Sequence, residues 1–189
     1  MITETSATAS DDGTLDRFGS FLERAEHRAR DAFPDTKLKD VVSIGLVLRR
    51  VNRLMMDDAE KEVLRPAGFS WTEFRICFSL WTAGPQRPHE VATSAAMSRA
   101  SVSSTMKDLK RRGLVATRDS TTDLRSIVMM LTPQGHELIG RAHAEHLALI
   151  DDWLSPLSPP ERLILRGLLG KIMLGPRAQP YADGHAVNS

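Results

Sequence analysis

Between Pro88 and Leu131 the hydrophobic period of the chain switches from that of a helix to that of a strand, and no other stretch limits the fold as tightly. His89 to Ala95 and Arg99 to Arg112 read as two short helices separated by Ala96-Met97-Ser98, with Pro88 opening the first and Gly113 closing the second. Two strand-like runs follow, Leu114 to Arg118 and Ser126 to Leu131, joined by the polar stretch Asp119 to Arg125. Thr132-Pro133 then opens a further long helix. The expected fold is mainly α with a small β-hairpin wing: a winged helix-turn-helix plus a helical dimerisation region.

The second helix of the pair shows why such a unit suits DNA. At about 100° per residue, Val102, Met106 and Leu109 share one face, while Ala100, Ser104, Lys107 and Arg111 share the opposite one, flanked by Ser101 and Ser103. Short side chains near the start let a backbone approach base edges, and later cations neutralise phosphates. The formal net charge is only +1, yet residues 97–118 hold six bases against one acid, while residues 1–35 hold eight acids against four bases. A solvated helix face is the plain alternative for Lys107, Lys110, Arg111 and Arg112; the serine-rich opening and the adjoining hairpin favour DNA. The DNA-contacting set is therefore Ser98, Arg99, Ala100, Ser101, Ser103, Ser104, Lys107 and Arg111, with Arg118, Asp123, Arg125 and Ser126 from the wing. Arg125 is placed in the minor groove, where the potential is strongly negative, with Asp123 orienting it.

Around this unit the chain divides into five parts. Residues 1–13 are polar and acidic and read as a disordered tail. Residues 14–64 carry a short amphipathic helix ended by Pro34, then a long one with Val41, Ile44, Leu48, Val51, Met55 and Ala59 at helical spacing and Arg49, Arg50, Arg53, Asp57 and Asp58 largely on the other side. Residues 65–132 form the winged unit, which Ser70-Trp71-Thr72-Glu73 enters through a capping box. Residues 133–175 supply two more helices, the second opened by Ser158-Pro159-Pro160-Glu161, and residues 176–189 read as a second disordered tail.

On these residues the chain resembles the MarR family of bacterial regulators over roughly residues 40–174. The matching segments are Gly68-Phe69-Ser70 through Phe74, Val91-Ala92 through Met97-Ser98-Arg99, Val102-Ser103, Gly113-Leu114-Val115 with Arg118, Asp123-Leu124-Arg125-Ser126, and Leu131-Thr132-Pro133-Gln134-Gly135. The resemblance implies a homodimer with interlocked N- and C-terminal helices, presenting two winged domains to a pseudo-palindromic operator in double-stranded DNA, most often as a repressor. Two positions depart from the family. Ala96 stands where glycine is usual, at a cost of about 1 kcal/mol if the position is left-handed, and Ser104 stands where a base is common, which leaves base preference open. The N-terminal extension is similar to that of the branch responding to urate or related aromatic acids. There an aspartate follows the second-helix phenylalanine, whereas Arg75 follows Phe74 here, a cation in place of an anion.

The family also implies a small aromatic acid effector, and Trp71, Phe74, Arg75 and Trp81 are its candidate site; core packing of the tryptophans and a structural ion pair at Arg75 are the alternative. His136, His143 and His146 share one long helix, but neither cysteine nor carboxylate joins them at metal-ligand spacing, so no metal or cofactor is expected. Cys77, the single cysteine, lies in an apolar helix and reads as core packing. No nucleophile elbow, phosphate loop, dinucleotide fingerprint or H-E-x-x-H motif is present, which argues against an enzyme. A protein-interaction module, or an activator without a ligand, remains the alternative to a ligand-responsive repressor. The longest apolar stretch, Val41 to Leu48, is broken by Ser43 and Gly45 and is far short of the ~20 residues a membrane span needs; no membrane contact and a cytoplasmic location are expected.

Overall fold

A computed structural model of the chain describes residues 12–34, 39–119 and 127–178. In order these form α1 (Asp12–Ala32), α2 (Lys39–Ala59), a π-helical turn (Glu60–Leu64), α3 (Trp71–Ala83), α4 (Pro88–Ser94), α5 (Arg99–Arg111), β1 (Val115–Asp119), β2 (Ile127–Leu131), α6 (Pro133–Trp153) and α7 (Pro159–Met173). Mainly α with one antiparallel hairpin is the fold class expected from sequence. The two tails lie wholly or largely outside the described residues. Contacts divide the chain into two units, 1–56 and 57–189. Among the described residues no helix is long and apolar enough to cross a membrane.

Within the first unit, Phe18 and Phe21 of α1 stack with ring centroids 6.4 Å apart, and the Arg50 guanidinium of α2 lies over Phe18 at 4.5 Å. The apolar stripe expected on α2 is present, but Val41, Ile44, Leu48 and Val51 are exposed.

Within the second unit the core gathers around α3. Ser70 caps it as the sequence predicts: the Ser70 hydroxyl accepts from the Glu73 amide at 3.2 Å, and the Glu73 carboxylate accepts from the Ser70 amide at 2.9 Å. Ile76 and Cys77 are fully buried, and Val63, Leu64, Phe69, Phe74, Leu80, Val91, Val102, Leu109, Leu114, Met129 and Ile139 close around them. Sequence periodicity extends α2 as one α-helix to residue 64, whereas the last turn widens to a π-helix in which the Arg65 amide donates to the Glu60 carbonyl at 2.9 Å. The consecutive residues Val63 and Leu64 are both buried there, which suits a widened turn better than a strict 3.6-residue period.

The hairpin pairs Val115 with Leu131 and Arg118 with Val128. Gln86, between α3 and α4, forms an isolated antiparallel bridge to Met129 through both backbone hydrogen bonds (3.0 and 2.7 Å). Its buried side-chain amide donates to the Ser79 carbonyl and hydroxyl, both at 3.0 Å, which ties the wing to α3. At the far end of the wing Thr132 caps α6 by accepting from the Gly135 amide, and its own hydroxyl donates to the Gly113 carbonyl at 2.6 Å. A Cβ on Gly135 would lie 2.0 Å from the Leu114 carbonyl oxygen, so the start of α6 packs on β1 only with glycine at that position.

The turn between α4 and α5 holds the one non-glycine residue with positive φ among the described residues, Ala96 at 48°. The left-handed conformation that the glycine-to-alanine departure would demand is thus adopted. Ala96→Gly is expected to raise stability by about 1 kcal/mol, read as a higher urea midpoint with an unchanged slope. A lower midpoint would mean that the alanine methyl packs better than its backbone is strained.

Candidate nucleic-acid interface

α5 is an amphipathic helix with its inner face sealed and its outer face open. Val102 and Leu109 are fully buried, as are Val91 and, nearly so, Ala92 and Ala95 of the bracing helix α4. Small residues at 92 and 95 let the two helices cross closely. Pro88 fills the first turn of α4, where its missing amide costs nothing.

The N-terminal end of α5 is built by Ser98, whose hydroxyl accepts from the Ser101 amide at 3.1 Å. This leaves Ser98 and Ser101 half-buried, while Arg99, Ala100, Ser103 and Ser104 stand exposed on the outer turns. The Ser104 hydroxyl donates back to the Ser101 carbonyl at 3.0 Å. Further along, Lys107 is exposed, and Arg111 pairs with Asp108 at 2.8 Å on the open surface. Such an exposed pair contributes little to stability. Lys110 reaches across to the wing, donating to the Thr117 hydroxyl at 2.9 Å. Arg118 is exposed on β1, on the same wing. Asp123, Arg125 and Ser126 lie outside the described residues.

The cation that caps the C-terminal end of this helix faces the fold. Arg112 donates to Glu73 at 2.7 Å and to the Gly68 carbonyl at 2.7 Å, and its guanidinium lies 5.8 Å from the Phe69 ring centre. Burial opposes ionisation of Glu73, yet the hydrogen bonds from Ser70 and the Arg112 guanidinium hold its carboxyl below the usual range. Arg112 thus clasps the end of α5 to the start of α3.

The four effector candidates separate in space. Trp71, Phe74 and Trp81, together with Phe78, form a row along α3 that meets α6. Trp71 and Phe74 contact His146 (5.7 and 5.5 Å between ring centres), Phe78 and Trp81 contact His143 (4.6 and 5.5 Å), and Trp81 contacts His136 (6.2 Å). Phe74 is buried in the core, whereas Trp81 is partly open to solvent. Arg75 lies on the other side, where its guanidinium donates to the Ala95 carbonyl and, at 2.7 Å, to the Ala96 carbonyl. It therefore fastens the strained turn to α3 through backbone carbonyls, not through the carboxylate of the structural ion pair weighed as the alternative. Among the described residues no group of three or more histidines, cysteines or carboxylates could hold a metal; the three histidines pack on aromatic rings instead. Burial pushes the Cys77 thiol up to about 12, so it stays protonated and unreactive at neutral pH.

A braced helix with an open, small-to-cationic face beside a β-hairpin defines a winged helix-turn-helix of the DNA-binding type. The model of the MarR family matches residues 69–127. The HTH-type transcriptional regulator PecS of Dickeya dadantii is 30% identical over 146 residues, which cover 76% of this chain and 87% of PecS. The chain belongs to the MarR family, whose members here are transcriptional regulators and not enzymes. Among solved structures, a mutant MarR from E. coli complexed with operator DNA shares the fold with a TM-score of 0.64 at 19% identity, covering 74% of this chain and 99% of that one. Bordetella bronchiseptica BpsR, whose DNA binding is regulated by 6-hydroxynicotinic acid, does so with a TM-score of 0.60 at 23% identity, covering 68% of this chain and 97% of that one.

His146 stands at the α3–α6 contact, and burial, then the neighbouring His143, lowers its pKa from 6.5. The folded state thus favours neutral imidazole. Its contribution is complete above the unfolded value and is lost as pH falls through 6.5 toward the lower folded value. His146→Phe should shrink the fall in melting temperature between pH 7.5 and pH 5.5; an unchanged fall would place the acid sensitivity elsewhere.

Proposed function

We propose that the protein is a homodimeric, sequence-specific repressor that binds a pseudo-palindromic operator in the cytoplasm and is released from it by a small aromatic acid. The observation that carries the DNA reading is the outer face of α5, where Arg99, Ala100, Ser103 and Ser104 leave room for base edges and Lys107 and Arg111 follow as phosphate partners. Ser98 and Ser101 set the helix start, and Arg118 extends the cationic surface along the wing. Asp123, Arg125 and Ser126, outside the described residues, complete the proposed set, with Arg125 as the minor-groove residue.

The dimer reading rests on α7. None of its residues is buried, and Leu163, Ile164, Leu168, Ile172 and Met173 are all more than half exposed. A stripe of this kind needs a covering surface. The exposed apolar residues of α2 need one too, and a second copy supplies both. Ile164→Asp/Leu168→Asp is expected to sediment as a monomer and to lose tight operator binding; a variant that remains dimeric would remove α7 from the interface.

For the effector, Trp71 and Trp81 offer a stacking surface backed by the buried Phe74, and Arg75 links α3 to the α4–α5 turn. A ligand that shifts the aromatic row would thereby re-aim α5. The ligand of BpsR, an aromatic acid, supports this class of molecule.

Selection of bound duplexes from a random pool, followed by affinity against salt, tests the reading. A pseudo-palindrome with half-sites about one helical turn apart and a steep negative salt slope are expected. Lys107→Ala/Arg111→Ala should flatten that slope by about 2, roughly one for each phosphate left without its cation. If no sequence is enriched, the exposed helices serve protein partners instead.

A further inference from the structure

In the first unit α1 and α2 border a groove of about 790 Å³ lined by Arg17, Phe18, Phe21, Leu46, Arg49, Arg50, Asn52 and Arg53. Its chemistry is divided in a definite way. Phe18, Phe21 and Leu46 supply an apolar wall, with the two rings stacked, and arginines from both helices stand around it. No acidic residue belongs to the lining. Arg50 already places its guanidinium over the Phe18 ring. Among the described residues, Arg17, Arg49 and Arg50 make no ion pair.

Arg17, Arg49 and Arg50, brought together without ion-pair partners of their own, repel one another, and the low-dielectric wall of a groove strengthens that repulsion. An anion placed among them removes the penalty and gains charge-assisted hydrogen bonds, which arginine's planar fork makes well to carboxylate, sulfonate or phosphate. The apolar wall selects further. Phe21 is 47% exposed, an unfavourable neighbour for a bare inorganic anion but a good one for a flat ring. A recessed aromatic wall also distinguishes the groove from the small, polar, convex surface that α5 presents.

We propose that the α1–α2 groove is a binding site for a small aromatic anion, formed by Arg17, Arg49 and Arg50 around Phe18 and Phe21. None of its residues belongs to α3 or α6, so it is a second site beyond the aromatic row considered above. It does not depend on the DNA reading.

The test is a fluorescence titration of the full chain, without DNA, with anilinonaphthalene sulfonate as the anionic probe and phenylnaphthylamine as its uncharged analogue. Saturable binding of the sulfonate is expected, with Arg49→Gln/Arg50→Gln weakening it at least about tenfold, the scale set by removing hydrogen bonds to a charged group. The uncharged analogue should bind the variant as it binds the original. Equal affinity of the sulfonate for both proteins, or equal weakening of both probes, would overturn the proposal and assign the signal to general apolar surface. If the double variant lacks a cooperative melt, Arg17→Gln on the other helix decides by the same two readings. Phe21→Ala should weaken both probes, and unchanged binding there would likewise count against the site.

Discussion

α3 is the hub of the second unit, and the burial of its inner residues Phe74, Ile76, Cys77 and Leu80 is what the rest depends on. Its sides meet α6, α4 and α5, the wing and the π-helical turn, and each contact uses a different chemistry. Aromatic rings face α6, Ile76 and Cys77 fill the centre, Ser79 receives Gln86, which is bridged to the wing, and Arg75 reaches the turn between α4 and α5. Burying such a helix drives the assembly of the 57–178 segment, because leaving it exposed would cost about 25 cal/mol for each Å² of apolar surface. The surface helix α5 gains its orientation from this arrangement. It is held at its start by a turn fastened to α3 and at its end by Arg112 on Glu73 and Gly68.

That dependence explains which parts of the molecule could be read from the chain. The capping boxes at Ser70 and Ser158, proline at the first turns of α4 and α6, and the two-sided pattern of α5 are local, and local chemistry is written in neighbouring residues. The left-handed Ala96 was marked by the glycine usual at that position in the family, not by its neighbours. The π-helical turn was not legible, because it answers to the burial of Val63 and Leu64 against partners distant in sequence.

The candidate site divides along the same line. Exposure of Arg99, Lys107 and Arg111 followed from helical phase, whereas nothing adjacent to Arg112 marks it as a clasp rather than a phosphate ligand. Arg75 is similar: its partners are carbonyl oxygens twenty and twenty-one residues away, and carbonyls carry no sequence signal. Gln86 could have been noticed as an amide isolated between Pro85 and Arg87-Pro88, but its pairing with Met129 requires the hairpin to exist first. For the groove in the first unit, the spacing of Arg49, Arg50 and Arg53 was visible as the polar side of α2, and only the opposing helix shows that the cations border phenylalanines.

Ala96 gives the reading head a mechanical character. A glycine at this turn can wander over both halves of conformational space, so α4 and α5 would sample a spread of crossing angles before meeting a groove. The alanine methyl closes most of that space, and the guanidinium of Arg75 pins the carbonyls on either side of the joint. The joint is a stiff elbow rather than a hinge. On the proposed docking of α5, little orientational freedom is left to freeze, so strain held in one residue would serve to separate a well-spaced target from a near miss.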